Sequence, residues 1–154
     1  TMNVIGERQH PEKYIPMVIK KVLDGDKVTI HATPDLLKAG SRFYIHARNA
    51  FEAIKFILLE TEETIKVKDP SLGRFNIVGD EELDNLTLAQ KIAGIVGKDL
   101  VYEMVDFHSS RPGHDTRYGL NGDKLKNLGF TYPKSFDETL NKVVGWYLNH
   151  KEWL

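Results

Sequence analysis

Cysteine is absent from all 154 residues, which excludes disulfides, thiolate zinc sites and a cysteine nucleophile and agrees with a reducing compartment. An excess of either charge is absent too. With 21 Lys and Arg against 22 Asp and Glu, the formal charge is -1, unlike the basic surplus of a domain that coats nucleic acid. No run approaches the ~20 apolar residues that cross a bilayer, and the first residues lack the basic-then-apolar pattern of a secretion signal. The expectation is a cytoplasmic protein with no nucleic acid and no membrane among its partners. Several catalytic signatures are also missing. No Gly-x-Ser-x-Gly elbow is present, which leaves serine hydrolysis unsupported. The 6 histidines form neither a His-Glu-x-x-His helix nor a tight ligand cluster, so no metal is expected.

Two partial motifs reduce to ordinary structure. Gly94-Ile95-Val96-Gly97-Lys98 has its glycines too close for a phosphate loop and Asp99 where that loop needs Ser or Thr, so it reads as a helix end with a left-handed glycine. Tyr147 and Lys151 have the Tyr-x-x-x-Lys spacing of short-chain dehydrogenases, but any helix offers that spacing. Tyr147 falls on an apolar stripe and reads as a packing residue.

What is present is the make-up of one domain. With 41% hydrophobic and 28% charged residues, residues 1–154 can bury ~70% of the surface that such a chain exposes when unfolded. The chain opens inside a strand, Thr1 to Gly6, as expected either of the C-terminal portion of a longer protein or of a start at Met2 behind one added residue. Ile15, Val18, Ile19, Val22 and Leu23 recur at helical spacing up to Gly25, with Pro16 tolerable only in the first turn. Val28 and Ile30 alternate as a strand, 32–42 reads as a loop, and Phe43 to Ile45 as a brief extended stretch. A second helix begins at Asn49, with Ala50, Ala53, Ile54, Ile57 and Leu58 on its stripe, and should end near Glu60. Phe75 to Val78 reads as a strand bounded by Gly73 and Gly79. Thr87 with Gln90 reads as a capping box for a helix stopping at Gly97. Val101 to Val105 is a strand, Asp106 to Asp115 a polar loop, and Lys124 to Leu128 a short helix. Ser135 with Glu138 caps the last helix, whose stripe is Phe136, Leu140, Val143, Val144, Tyr147 and Leu148. Short strands alternating with helices make the class α/β or α+β, of which α/β is the expectation taken forward.

Cations gather on three loops beside these elements: Arg8 to Lys13, the approach to Arg42, and Arg111 to Arg117. Loops at strand ends of an α/β sheet build its binding crevice, and guanidinium groups suit phosphate oxygens. Taken singly, Arg8 and Arg117 read as solvated surface charges. Arg111 is the stronger candidate, because Pro112-Gly113 fixes a turn beside it.

Two runs, Arg8-Gln9-His10-Pro11-Glu12-Lys13-Tyr14-Ile15-Pro16 and Arg111-Pro112-Gly113-His114-Asp115-Thr116-Arg117-Tyr118, resemble signatures of the dTDP-glucose 4,6-dehydratases, within the extended short-chain dehydrogenase/reductase (NAD-dependent epimerase/dehydratase) family. Asn3-Val4-Ile5-Gly6 resembles the family's Asn-x-Tyr-Gly strand end. Phe75-Asn76-Ile77 with Gly79 and Asn85, and the closing Trp146-Tyr147-Leu148, extend the likeness to essentially the whole chain. The resemblance implies the C-terminal part of an extended short-chain dehydrogenase fold, lacking the N-terminal Rossmann half. In the family the glycine-rich dinucleotide motif, the catalytic Tyr-x-x-x-Lys and the acidic pair of dehydration precede the strand at which this sequence opens. NAD would thus be the cofactor of a full-length parent lyase, with none expected for this chain alone, which should not turn over substrate.

The implied partner is a nucleotide-diphosphate sugar, together with the missing N-terminal half or a partner chain. Related epimerases and decarboxylases share the scaffold, and a non-catalytic assembly module, completed by another chain or as a homodimer, is the alternative of a different class. Carried over by position, Asn3 would bond the diphosphate or sugar, Lys13 and Tyr14 would lie along the nucleotide, and Arg42 would pair with a phosphate. Asn85 would support the nucleotide pocket, Arg111 and His114 would contact phosphate or ribose, and His31 stands where the family has an aromatic near the base. Arg42-Phe43-Tyr44-Ile45-His46-Ala47-Arg48-Asn49 departs from the family's Arg-Asp-Trp and Val-Glu-Asp pattern.

Overall fold

The structure, a computed structural model, describes residues 1–68, 74–110 and 115–154. The chain runs β1 (Asn3–Ile5), α1 (Tyr14–Asp24), β2 (Val28–Ala32), β3 (Ser41–His46), α2 (Ala47–Lys68), β4 (Glu82–Asp84), α3 (Asn85–Val96), β5 (Tyr102–Asp106), α4 (Phe107–Ser110), β6 (Arg117–Tyr118), α5 (Asp123–Asn127) and α6 (Phe136–Asn149), then a 3₁₀ turn.

β3 organises the main sheet. Its C-terminal half pairs in parallel with β1, Asn3 opposite Tyr44 and Ile5 opposite His46. Its N-terminal half pairs antiparallel with β4 and parallel with β6. β2 and β5 form a separate parallel pair, Val28 opposite Tyr102 and Ala32 opposite Asp106.

Neighbouring residues of a strand point to opposite faces, so Tyr44 and Ile45 enter different cores. On the Tyr44 side, α1, β2, α3 and α6 enclose Val18, Ile19, Ile30, Leu88, Ile92, Leu140 and Val143. On the Ile45 side, Ala50, Ala53, Ile77, Leu125 and Phe130 form a smaller cluster under α2. The helix ends follow local chemistry. Gly25 ends α1 at φ 76° and Gly97 ends α3 at φ 75°, where a Cβ would be strained. Ser135 and Glu138 cap α6 reciprocally.

Several expectations change. α2 runs to Lys68 rather than ending near Glu60. Its stripe is also displaced: Ile54 is 47% and Leu58 73% exposed, because the second core covers only the side bearing Ala50, Ala53, Phe56 and Ile57. The α3 cap is Asp84, not Thr87. The chain passes straight from β4 into the helix, so the last strand residue accepts from Thr87 N at 2.9 Å, and the Thr87 hydroxyl donates to the same carboxylate at 2.5 Å. Phe75 to Val78 joins no ladder among the described residues; Met2, just ahead of β1, donates from its backbone N to Ile77 O at 2.9 Å. Gly79 beside it lies so close to β3 that an added Cβ would sit 2.0 Å from Tyr44 O. The polar loop after β5 opens instead with the one-turn α4, whose Phe107 is buried. β4 and β6 were not foreseen, being 3 and 2 residues long.

Candidate functional site

α1 begins without a side-chain cap. Lys13 holds the N-cap position in extended geometry, makes no capping bond, and is followed by no acidic residue in the first turn. The positive end of the helix dipole and an exposed ammonium therefore coincide, the arrangement that attracts anions. A cavity of about 240 Å³ opens there, walled by β1, β3, the end of β2 and the start of α3. Six of the residues singled out in the sequence line it: Asn3, Lys13, Tyr14, His31, Arg42 and Asn85. Arg111 and His114 lie outside the described residues.

Arg42 is half-buried on β3; its guanidinium donates to Ser41 O at 3.3 Å, and among the described residues no carboxylate pairs with it. Asn3 donates from Nδ2 to Phe43 O at 2.9 Å, tying the cavity floor across the β1–β3 ladder. Its Oδ1 is left as the acceptor. His31 meets the Phe107 ring edge-on, centroids 5.6 Å apart, so β2 and α4 supply an aromatic wall. Tyr14 donates to Asn85 O at 2.6 Å, and Tyr44 donates to Asn85 Oδ1 at 2.9 Å. Burial pushes the Tyr44 hydroxyl up to about 12, with Arg42 acting in the opposite sense, and pushes Tyr14 well above the usual phenol range. Both are neutral donors at pH 7.

The other cations behave differently. Arg8 sits at φ 61° with its guanidinium 5.7 Å from the Trp146 ring centroid. Arg117 forms a two-pronged pair with Glu82, both contacts 2.8 Å, which neutralises it. A second cavity of about 380 Å³, on the opposite side of β3 and lined by Phe43, Arg117 and Tyr132, is larger, but its guanidinium is already spent. The smaller cavity brings together an Arg and a Lys that pair with no carboxylate among the described residues and a helix N-terminus, and it is the candidate site.

Tyr44, Gln9 and Phe107 also line the cavity and were not anticipated. For Tyr44 a signal existed: two residues along a strand from Arg42, it must share Arg42's face. Phe107 gave none, since it stands in a polar run.

No protein-family model matches the chain. Curated relatives do. The chain is 30% identical over 99% of its length to the dTDP-glucose 4,6-dehydratase of Shigella flexneri, covering 40% of that protein. It is 32% identical over 98% of its length to that of Streptomyces niveus, covering 41%. Among solved structures, the dTDP-glucose 4,6-dehydratase of Streptomyces venezuelae, with NAD and a second ligand bound, superposes with a TM-score of 0.75 at 29% identity, over 99% of this chain and 43% of that one. The Bacillus anthracis dehydratase in complex with NAD gives 0.74 at 29% identity. The chain thus spans about two fifths of the relatives it matches, and its fold is the C-terminal part of the extended short-chain dehydrogenase fold. A dinucleotide finds no cradle in the β1–α1 turn: Gly6 is its only glycine, and the Glu7 carboxylate faces His46 and Lys142 there, where a pyrophosphate would need bare amides.

Proposed function

From a chain that is a relative of the dTDP-glucose 4,6-dehydratases, within the extended short-chain dehydrogenase/reductase family, we propose that the cavity at the N-termini of α1 and α3 holds the diphosphate and adjoining nucleotide of a nucleotide sugar. The observation that carries this reading is the meeting of Arg42, Lys13 and the uncapped α1 N-terminus around one opening. Phosphate oxygens accept hydrogen bonds and carry charge, and each of these groups donates or is positive. A volume near 240 Å³ is below the ~300–1,000 Å³ of a complete small-molecule site, which suits part of a nucleotide sugar.

The roles follow from chemistry. Arg42 and Lys13 neutralise the diphosphate, Asn3 offers an acceptor to a sugar or ribose hydroxyl, and His31 with Phe107 presents ring faces and edges to the base. Arg111 and His114 join them on the strength of the Arg-Pro-Gly-His-Asp run alone. All these residues bind and orient. The dehydration named for the relatives belongs to groups this set does not include.

Calorimetric titration with dTDP, dTDP-glucose and NAD tests the reading. dTDP and dTDP-glucose should bind with similar affinity, because the diphosphate supplies the shared contacts. Binding of NAD without response to either nucleotide would overturn it.

A further inference from the structure

We propose that Tyr44 is a positioning residue which locks the Asn85 side chain so that its N–H donors, rather than its carbonyl oxygen, are presented to the acceptor oxygens of the bound diphosphate. The proposal deepens the nucleotide-sugar reading and rests on it.

Asn85 is 8% exposed, and its polar groups are occupied from three directions. Its backbone N–H donates to Gly40 O at 2.9 Å. Its backbone carbonyl accepts from Tyr14 Oη at 2.6 Å, and its Oδ1 accepts from Tyr44 Oη at 2.9 Å. Nδ2 is the one group left without a partner among the described residues, and the side chain lines the cavity beside Arg42. Because the side chain lines the cavity, both Nδ2 protons are open to an acceptor placed there.

The orientation of an asparagine amide is otherwise easily reversed. Here reversal has a specific penalty. A flipped amide would donate to the Tyr44 oxygen, leaving the phenolic proton of Tyr44, itself 5% exposed, with no acceptor among the described residues. The tyrosine therefore selects the amide orientation, and it does so from the strand that also carries Arg42. Phosphate oxygens, which only accept, match an outward-facing NH₂ and do not match an outward-facing carbonyl.

The experiment is a double-mutant cycle read by dTDP titration of the wild-type chain, Tyr44→Phe, Asn85→Ala and the double variant. Tyr44→Phe and Asn85→Ala should each weaken dTDP binding about 2- to 10-fold, and the double variant should bind no more weakly than Asn85→Ala. Asn85→Asp supplies an independent readout that does not need Tyr44→Phe to fold. It keeps an oxygen for the Tyr44 bond but replaces the donors with a carboxylate oxygen, so it should bind dTDP more weakly than Asn85→Ala. Unchanged binding in Tyr44→Phe, losses that multiply in the double variant, or wild-type affinity in Asn85→Asp would each overturn the proposal while leaving the nucleotide-sugar reading standing. A wild-type chain that ignores dTDP and dTDP-glucose would remove both.

Discussion

Glu7 and His46 meet at 3.4 Å, carboxylate oxygen to Nε2, between the loop after β1 and the last residue of β3. The His46 Nδ1 accepts from Arg48 N at 3.1 Å, so the neutral ring carries its proton on Nε2, toward Glu7. Lys142 on α6 approaches the other Glu7 oxygen at 3.4 Å. Burial disfavours the imidazolium and holds His46 below the ordinary imidazole range; Glu7 opposes that shift, and Lys142 and Arg48 add to it.

A pH dependence of stability follows from that shift. A histidine whose folded pKa lies below its unfolded value takes up more protons when unfolded, so its contribution is present above the unfolded value near ~6.5 and is lost as pH falls through the folded value. Glu7 acts in the same direction lower down. Burial works against its charge, but its backbone hydrogen bond, His46 and Lys142 outweigh that and hold it below the usual carboxylate range. The melting temperature should fall between pH 7 and 5, and His46→Gln should flatten that slope. An equally steep slope in His46→Gln would place the titration elsewhere.

Removing the Arg42 guanidinium should weaken binding without unfolding the chain. If it contacts phosphate in a partly desolvated cavity, Arg42→Ala costs about 1.5–3 kcal/mol of dTDP affinity. Arg117→Ala, which breaks a pair already satisfied by Glu82, should leave dTDP affinity unchanged. Titration calorimetry on the two variants compares them directly.

The corrected cap of α3 has its own consequence. Asp84→Ala removes the acceptor of both Thr87 N and the Thr87 hydroxyl and should cost about 0.5–2 kcal/mol in urea unfolding. Gln90→Ala, the partner in the capping box expected from sequence, should cost less. Because Asp84 precedes Asn85, the first variant should also weaken dTDP binding.

α2 carries Phe51 at 60%, Ile54 at 47% and Leu58 at 73% exposure, spaced so that they share one side of the helix. An apolar stripe of this kind binds hydrophobic dyes and promotes association. Replacing Phe51 and Leu58 by Gln should lower anilinonaphthalene sulfonate fluorescence and the sedimenting mass at high concentration. The melting temperature should stay nearly constant, since little buried contact is lost.

Much of the local structure was legible because it is decided within a few residues. The apolar spacing of α1 and α6, the glycines that end α1 and α3, and the Ser135–Glu138 box all act over one or two helical turns. Asp84 was missed as a cap because its role depends on β4, a strand of 3 residues that exists only as a pairing with β3. The stripe of α2 was misplaced for a related reason. Sequence periodicity gives an apolar arc, but which edge of that arc meets Ile45, Ile77 and Phe130 depends on how the helix is laid against the sheet.

For the site, the chain's own order of residues specified the chemistry: an arginine in a strand, a lysine at a helix start, amides at element ends, and two runs that match a known family. Folding specified the company these groups keep. Asn3, Lys13, His31, Arg42 and Asn85 are drawn from five segments, and local propensity does not say which segments will neighbour one another. That Arg42 meets no carboxylate among the described residues while Arg117 is neutralised, and that two tyrosines converge on one asparagine, are outcomes of strand pairing and core packing, long-range contacts that no short window of the sequence contains.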